Sequence, residues 1–207
     1  MTHAIWYFDF ISPFAWIGLH RLKELPGLEI EYRPVLFAGI LNHWGQKGPA
    51  EMPTKRRYTY RWSHWVAHSL GIPFKYPSAH PFNPLHYLRL AIACECRPAA
   101  VRSIFESIWT TGADAADPAR LASLLATLAV TREEIEKTEI KEKLKKNTDE
   151  AIKRGVFGVP TLEIDGELFW GADSIDFARA FLEDRSVVRN AEMRRLDALP
   201  VAAARKA

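Results

Sequence analysis

Ser12 is the residue with the clearest chemical setting in this chain of 207 residues. It lies in Asp9-Phe10-Ile11-Ser12-Pro13-Phe14-Ala15-Trp16, between two apolar stretches of different period. Before it, Ala4-Ile5-Trp6-Tyr7-Phe8 has the length and composition of a strand. After it, Trp16, Ile17, Leu19, Leu22 and Leu25 recur at roughly helical spacing. Pro13 suits the first turn of a helix, where a missing N–H costs nothing. Ser12 then falls at the N-cap, beside unpaired backbone donors and the positive end of the helix dipole. Such a position can hold an anion, and a thiolate is an anion. A serine that only caps the helix has the same local sequence.

Gly155-Val156-Phe157-Gly158-Val159-Pro160-Thr161 is the second such segment. Val159-Pro160 immediately precedes a strand pattern. A proline there cannot donate to a ladder, so it marks an edge, a bulge or a cis bond. The expectation is a cis Val159–Pro160 bond. His64 and His68, four apart on a helical pattern, have the spacing of a metal pair. No third ligand accompanies them, so they are read as surface or packing residues.

The elements that must position these residues follow from periodicity. After the first helix, Leu28-Glu29-Ile30-Glu31-Tyr32-Arg33 alternates as a strand and Pro34 ends it. Strand, helix, strand predicts a parallel βαβ unit. Residues 35–50, with Phe37, His43 and Trp44 between Gly39, Gly45 and Gly48, read as irregular. From Glu51 to about Arg154 the pattern is helical. Tyr58, Trp62, Trp65, Val66 and Leu70 share one face of its first helix. Asn83-Pro84 and Asp117-Pro118 start further helices, and Thr131-Arg132-Glu133-Glu134 is a capping box. Glu139 with Lys143, and Glu142 with Lys146, are candidate i,i+4 pairs. Strand patterns return at Thr161–Ile164 and Glu167–Trp170 around Asp165-Gly166, a type I′ hairpin signal. A last helix begins at Asp173-Ser174, and beyond Ser186 the periodicity is weak.

The two ends therefore complete one α/β unit, a thioredoxin fold with an inserted all-helical domain. The expected division is 1–35 with 155–185 as the thioredoxin-like domain, 36–154 as the helical insertion, and 186–207 as a tail. In a thioredoxin-type site a C-x-x-C motif fills the turn that Ser12-Pro13-Phe14-Ala15 occupies here. The anion-holding geometry is kept and the redox pair is missing. The only two cysteines, Cys94 and Cys96, lie two apart in a helical stretch and cannot bridge comfortably. They are read as thiols in a reducing compartment.

Composition narrows the function classes. The chain is 48% hydrophobic and 26% charged, with a net charge of +3. No basic arm marks a nucleic-acid footprint. No apolar run reaches membrane-span length, and no leader pattern opens the chain. The expectation is a cytoplasmic protein with neither nucleic acid nor membrane as partner.

Four segments together resemble the 2-hydroxychromene-2-carboxylate isomerase family, a relative of kappa-class glutathione transferases and DsbA-type oxidoreductases. They are Phe8-Asp9-Phe10-Ile11-Ser12-Pro13-Phe14-Ala15, Phe82-Asn83-Pro84-Leu85, Gly155-Val156-Phe157-Gly158-Val159-Pro160-Thr161 and Phe169-Trp170-Gly171-Ala172-Asp173-Ser174. The resemblance implies a glutathione site. Ser12 would hydrogen-bond the sulfur, and the backbone at Val159, before Pro160, would pair with the cysteinyl part. Asp173 and the N–H of Ser174 would take the γ-glutamyl end. Lys55 is the nearest match to a lysine of the first insertion helix that meets the peptide. The asparagine that the family carries before this helix is absent around Gly45 to Pro49.

The implied activity interconverts a cyclic hemiketal and an open trans-benzylidenepyruvate, by reversible thiolate addition to a conjugated double bond. The substrate is then a small aromatic carboxylate. Phe10, Phe37 and Trp44 are expected pocket walls, and Asn83 is expected on the substrate side. The resemblance also implies a homodimer. A kappa-like glutathione transferase shares the same site, and a non-catalytic thioredoxin-fold binding protein stays open beside it. Disulfide exchange is disfavoured, because the turn holds no cysteine.

Overall fold

The computed structural model describes residues 1–203. In chain order it contains β1 (Thr2–Phe8), α1 (Pro13–Arg21), β2 (Leu28–Pro34), α2 (Phe37–Trp44) and α3 (Pro53–Ser69). It continues with α4 (Leu85–Ala93), α5 (Pro98–Trp109), α6 (Pro118–Leu128), α7 (Arg132–Glu136) and α8 (Thr138–Lys153). β3 (Thr161–Ile164), β4 (Glu167–Trp170), α9 (Ile175–Glu183) and α10 (Ala191–Asp197) complete it. All strands come from the two ends; among the described residues none lies between β2 and β3.

The sheet order is β2-β1-β3-β4. β1 and β2 run parallel, from Thr2 opposite Leu28 to Phe8 opposite Pro34. β3 is antiparallel to β1, and β4 to β3. Asp165 and Gly166 both take positive φ, 51° and 84°, as a type I′ hairpin requires. This is a thioredoxin-type α/β fold with helices inserted between its halves.

Residue parity in β1 divides the interior in two. Ala4, Trp6 and Phe8 face the larger cluster, with Phe105, Leu88 and Trp16. Ile5 and Tyr7 face a smaller one with Val35, Ile40, Ala151 and Val156. Both faces of β1 are covered, which is why its sequence is apolar throughout. The larger cluster runs without a break from the sheet into the inserted helices. On the other face, Tyr7 donates its hydroxyl to Glu163 Oε2 at 2.7 Å, and Arg154 Nη1 meets Glu163 Oε1 at 2.5 Å. A buried carboxylate is thereby paired and hydrogen-bonded.

Four expectations need correction. Residues 37–44 are not irregular but form α2, stopped by Gly45 at φ 62°. α8 braces the start of α2: Thr148 Oγ1 accepts from Leu36 N, and beside it Asn147 Nδ2 donates to Pro34 O at the end of β2. Cys94 caps the end of α4 and Cys96 lies beyond it at φ 52°, so they do not share a helix; both are free thiols. On α8 the internal ion pairs are Lys145–Asp149 and Lys146–Glu150, rather than the two expected from spacing. The tail is more regular than its pattern suggests, with a 3₁₀ turn over Arg185–Val188 and then α10. Its last four residues, 204–207, lie outside the described residues.

Tyr58, Trp62 and Trp65 do share a face of α3, and that face is exposed. The side of α3 turned inward carries Ser63 and Ala67. Among the described residues no helix is long and apolar enough to cross a membrane.

Candidate active site

Ser12 is the N-cap of α1, with φ −88° and ψ 117° and only 7% of its surface exposed. Its Oγ accepts from Ala15 N at 3.2 Å. The hydroxyl proton is donated to Val159 O at 3.3 Å, across 147 residues of sequence. One serine thus ties the N-terminus of α1 to the loop that leads into β3. The Val159–Pro160 bond is cis. Pro160 packs on Gly18 of α1, where an added Cβ would come within 3.3 Å of its ring. Gly171 N donates to Pro160 O at 2.9 Å, which anchors the far side of the loop to the end of β4.

Ser12 opens on a cleft of about 890 Å³ between the β1–α1 turn, the loop before β3 and the inserted helices. Phe37, Lys55, Tyr60, His80, Asn83 and Val159 are among its walls. A smaller cavity of about 280 Å³ carries Arg21, Trp62 and Asp173. The two share Phe14, Val159 and Trp170 as a partition. Ser12 and Asp173 therefore open on adjoining compartments.

Asn83 lines the cleft and its Oδ1 accepts from Leu85 N at 3.1 Å, starting α4. Ser174 is the N-cap of α9, and its Oγ donates to Gly171 O at 2.8 Å. Phe10, expected as a pocket wall, is fully buried, with its ring 4.5 Å from Phe105. It continues the parity of Trp6 and Phe8 and faces the same core, a signal already present in the alternation. Trp44 is not among the cleft walls either: its Nε1 donates to Val156 O at 3.0 Å, which holds the ring elsewhere.

Two further groups line the cleft. His80 Nε2 lies 2.8 Å from Ile11 O and His80 Nδ1 lies 2.7 Å from the Tyr60 hydroxyl. Nothing in their spacing connects residues 11, 60 and 80; only the packing of α3 against the loop before α4 does. Asp9, the other, is fully buried. Its carboxylate accepts from Ile11 N at 3.0 Å and from Phe37 N at 2.9 Å, so it holds the Ser12 turn against the start of α2.

Burial pushes the Asp9 carboxyl up to about 7, against the two N–H bonds that pull it down. The folded protein then keeps this proton up to about pH 7, whereas the unfolded chain releases it near 4. A raised carboxyl pKa gives stability that is full below the unfolded value and lost as pH rises through the folded one. The urea midpoint should therefore fall between pH 4 and pH 7. Asp9→Asn should flatten that fall, and its single acceptor leaves one of two buried N–H groups unpaired, at a cost of about 1–3 kcal/mol. Equal slopes in the two proteins would remove Asp9 as the source.

A family model for the DSBA-like thioredoxin domain matches residues 5–183. The 2-hydroxychromene-2-carboxylate isomerase of Pseudomonas putida is 30% identical over 184 residues, covering 82% of this chain and 88% of its own. Human glutathione S-transferase kappa 1 is 24% identical over 203 residues, covering 86% and 90%. Among solved structures, a 2-hydroxychromene-2-carboxylate isomerase superposes with a TM-score of 0.76 at 25% identity, covering 92% of this chain and 98% of that one.

Proposed function

The chain belongs to the DSBA-like thioredoxin family, among relatives named 2-hydroxychromene-2-carboxylate isomerase, and from that premise we propose a glutathione-dependent isomerase of conjugated aromatic carboxylates. One observation carries the reading. The buried Ser12 hydroxyl caps α1, faces the Val159 carbonyl and opens on a largely apolar cleft, in a turn without cysteine.

A free thiol with a pKa near 8.5 is only about 3% thiolate at pH 7. A hydroxyl donor at a helix N-terminus favours the charged form. The Ser12 hydroxyl turns from Val159 O to the glutathione sulfur, and Val159's backbone is freed for the cysteinyl unit. Held there, glutathione would supply a thiolate able to add reversibly to the double bond conjugated with the substrate's keto acid, which would let that bond rotate. Glutathione is not consumed. Lys55 meets the glutathione peptide at the cleft wall, and Phe14 and Phe37 give the substrate ring an apolar seat.

Asp173, across the partition, takes the γ-glutamyl ammonium. It is exposed, so the pair is screened and worth at most about 1 kcal/mol. Asp173→Ala should weaken glutathione binding up to roughly fivefold, with the pKa of the bound thiol unchanged. Calorimetry and ultraviolet titration of the bound thiolate check the two halves. An altered thiol pKa would place Asp173 against the sulfur instead.

The similarity to human glutathione S-transferase kappa 1 favours a second reading, in which the sulfur adduct is released as product. Mass balance separates the two. An isomerase returns all its glutathione after many turnovers, and a transferase consumes one per product.

A further inference from the structure

The cleft carries a proton-handling pair that the thiolate chemistry does not use. His80 Nε2 lies 2.8 Å from Ile11 O, a carbonyl that can only accept. Nε2 therefore bears the ring's proton, and in the neutral ring Nδ1 is a bare acceptor. The Tyr60 hydroxyl oxygen lies 2.7 Å from that Nδ1 and 2.8 Å from His80 O. The Tyr60 hydroxyl has one proton and two acceptors in reach, so it donates to Nδ1 and shares that proton with His80 O. Burial keeps the imidazole neutral by lowering its pKa, with the bond to Ile11 O acting the other way. Burial likewise holds the Tyr60 phenol above its usual value. The phenol oxygen keeps lone pairs for a group in the cleft, whose wall both residues form.

The neighbours leave the pair intact. Tyr76, whose ring is 4.4 Å from Tyr60's, sends its own hydroxyl to Ser63 at 2.8 Å. One imidazole ring and two hydrogen bonds separate Tyr60 from the carbonyl that precedes Ser12. The pair is thus fixed relative to the place where the sulfur would act.

We propose that Tyr60 is a catalytic acid–base group toward a hydroxyl on the substrate, and that His80 is the residue that positions it and stores its proton. The proposal rests on the isomerase reading and adds to it. Opening a cyclic hemiketal needs two proton movements that a thiolate cannot supply. The hemiketal hydroxyl gives its proton to the Tyr60 oxygen while Tyr60's proton passes to His80 Nδ1. The carbon–oxygen bond to the ring breaks, a carbonyl forms, and the electron pair leaves with the phenolate oxygen. That oxygen takes a proton from Tyr60 as His80 returns its own. No proton is gained or lost and nothing is oxidised or reduced.

The experiment measures kcat, KM and the solvent isotope effect for 2-hydroxychromene-2-carboxylate with saturating glutathione. Tyr60→Phe should lower kcat by roughly 100-fold or more, with glutathione affinity by calorimetry and the melting midpoint close to wild type. His80→Gln keeps a donor for Ile11 O but cannot store a proton, and should show the same loss. A kcat within twofold of wild type in either variant overturns the proposal. A second measurement does not depend on turnover. Nitrogen-15 NMR of labelled histidine should show the His80 Nδ1 resonance shifting on addition of 2-hydroxycinnamate, and not in Tyr60→Phe. A wild-type protein that binds glutathione but leaves the chromene unchanged would sink the isomerase reading. The pair is then judged by NMR alone, and an unmoved Nδ1 resonance overturns it.

Discussion

Ser12→Ala should raise the pKa of bound glutathione by about one to two units and cut turnover near neutral pH by roughly 10- to 100-fold. The variant removes one hydrogen bond to a charged sulfur, worth about 1.5–3 kcal/mol, and 1.36 kcal/mol corresponds to one unit. The same hydroxyl caps α1 by accepting from Ala15 N, so some stability goes too, about 1 kcal/mol for an ordinary N-cap. The two losses are separable. Lost cap energy lowers the melting midpoint, whereas lost thiolate stabilisation moves the ultraviolet titration of the bound sulfur. Wild-type pKa and turnover in this variant would leave Ser12 as a helix cap only.

The second large effect is structural and reaches the site from the inserted helices. Trp109→Ala should cost about 3–5 kcal/mol in urea unfolding, the range for emptying a buried large aromatic site. Trp109 is fully buried on α5, stacked 5.5 Å from Phe74, with His80 5.7 Å away. Its Nε1 donates to Phe10 O at 3.0 Å, within the segment that carries Ser12. Trp109→Phe keeps most of the volume and deserts only that carbonyl, so about 1–3 kcal/mol is expected. Natural domains hold about 5–15 kcal/mol in all, so the alanine variant should be marginal. A loss below about 1 kcal/mol for Trp109→Ala would mean that the core closes over the gap and that α5 does not brace the Ser12 turn.

Local signals carried much of the fold. Pro13 after Ser12 marked the helix start, Asp165-Gly166 marked the hairpin, and Val159-Pro160 marked the loop that meets Ser12. Each acts within a few residues, so each is visible as a word in the sequence. α2 was missed because Gly39 and Gly45 punctuate it and Thr148, which accepts from Leu36 N at its start, lies 112 residues away. The rank of Phe10 was legible and misread: strand parity from Trp6 and Phe8 sends it to the core. Trp44 was not legible, because the bond that holds its ring is to a backbone carbonyl at Val156. The pairing of Tyr60 with His80, and the bond from Phe37 N to Asp9, are tertiary arrangements with no period or motif of their own.

The glutathione dependence of the reaction is what the account stands on. The most direct measurement is the initial rate of interconversion of 2-hydroxychromene-2-carboxylate and trans-o-hydroxybenzylidenepyruvate, with and without glutathione at fixed enzyme. The expected result is a rate that rises and saturates with glutathione, is near background without it, and leaves the glutathione concentration unchanged. A rate that is the same without glutathione, or that stays at background with it, would contradict the account.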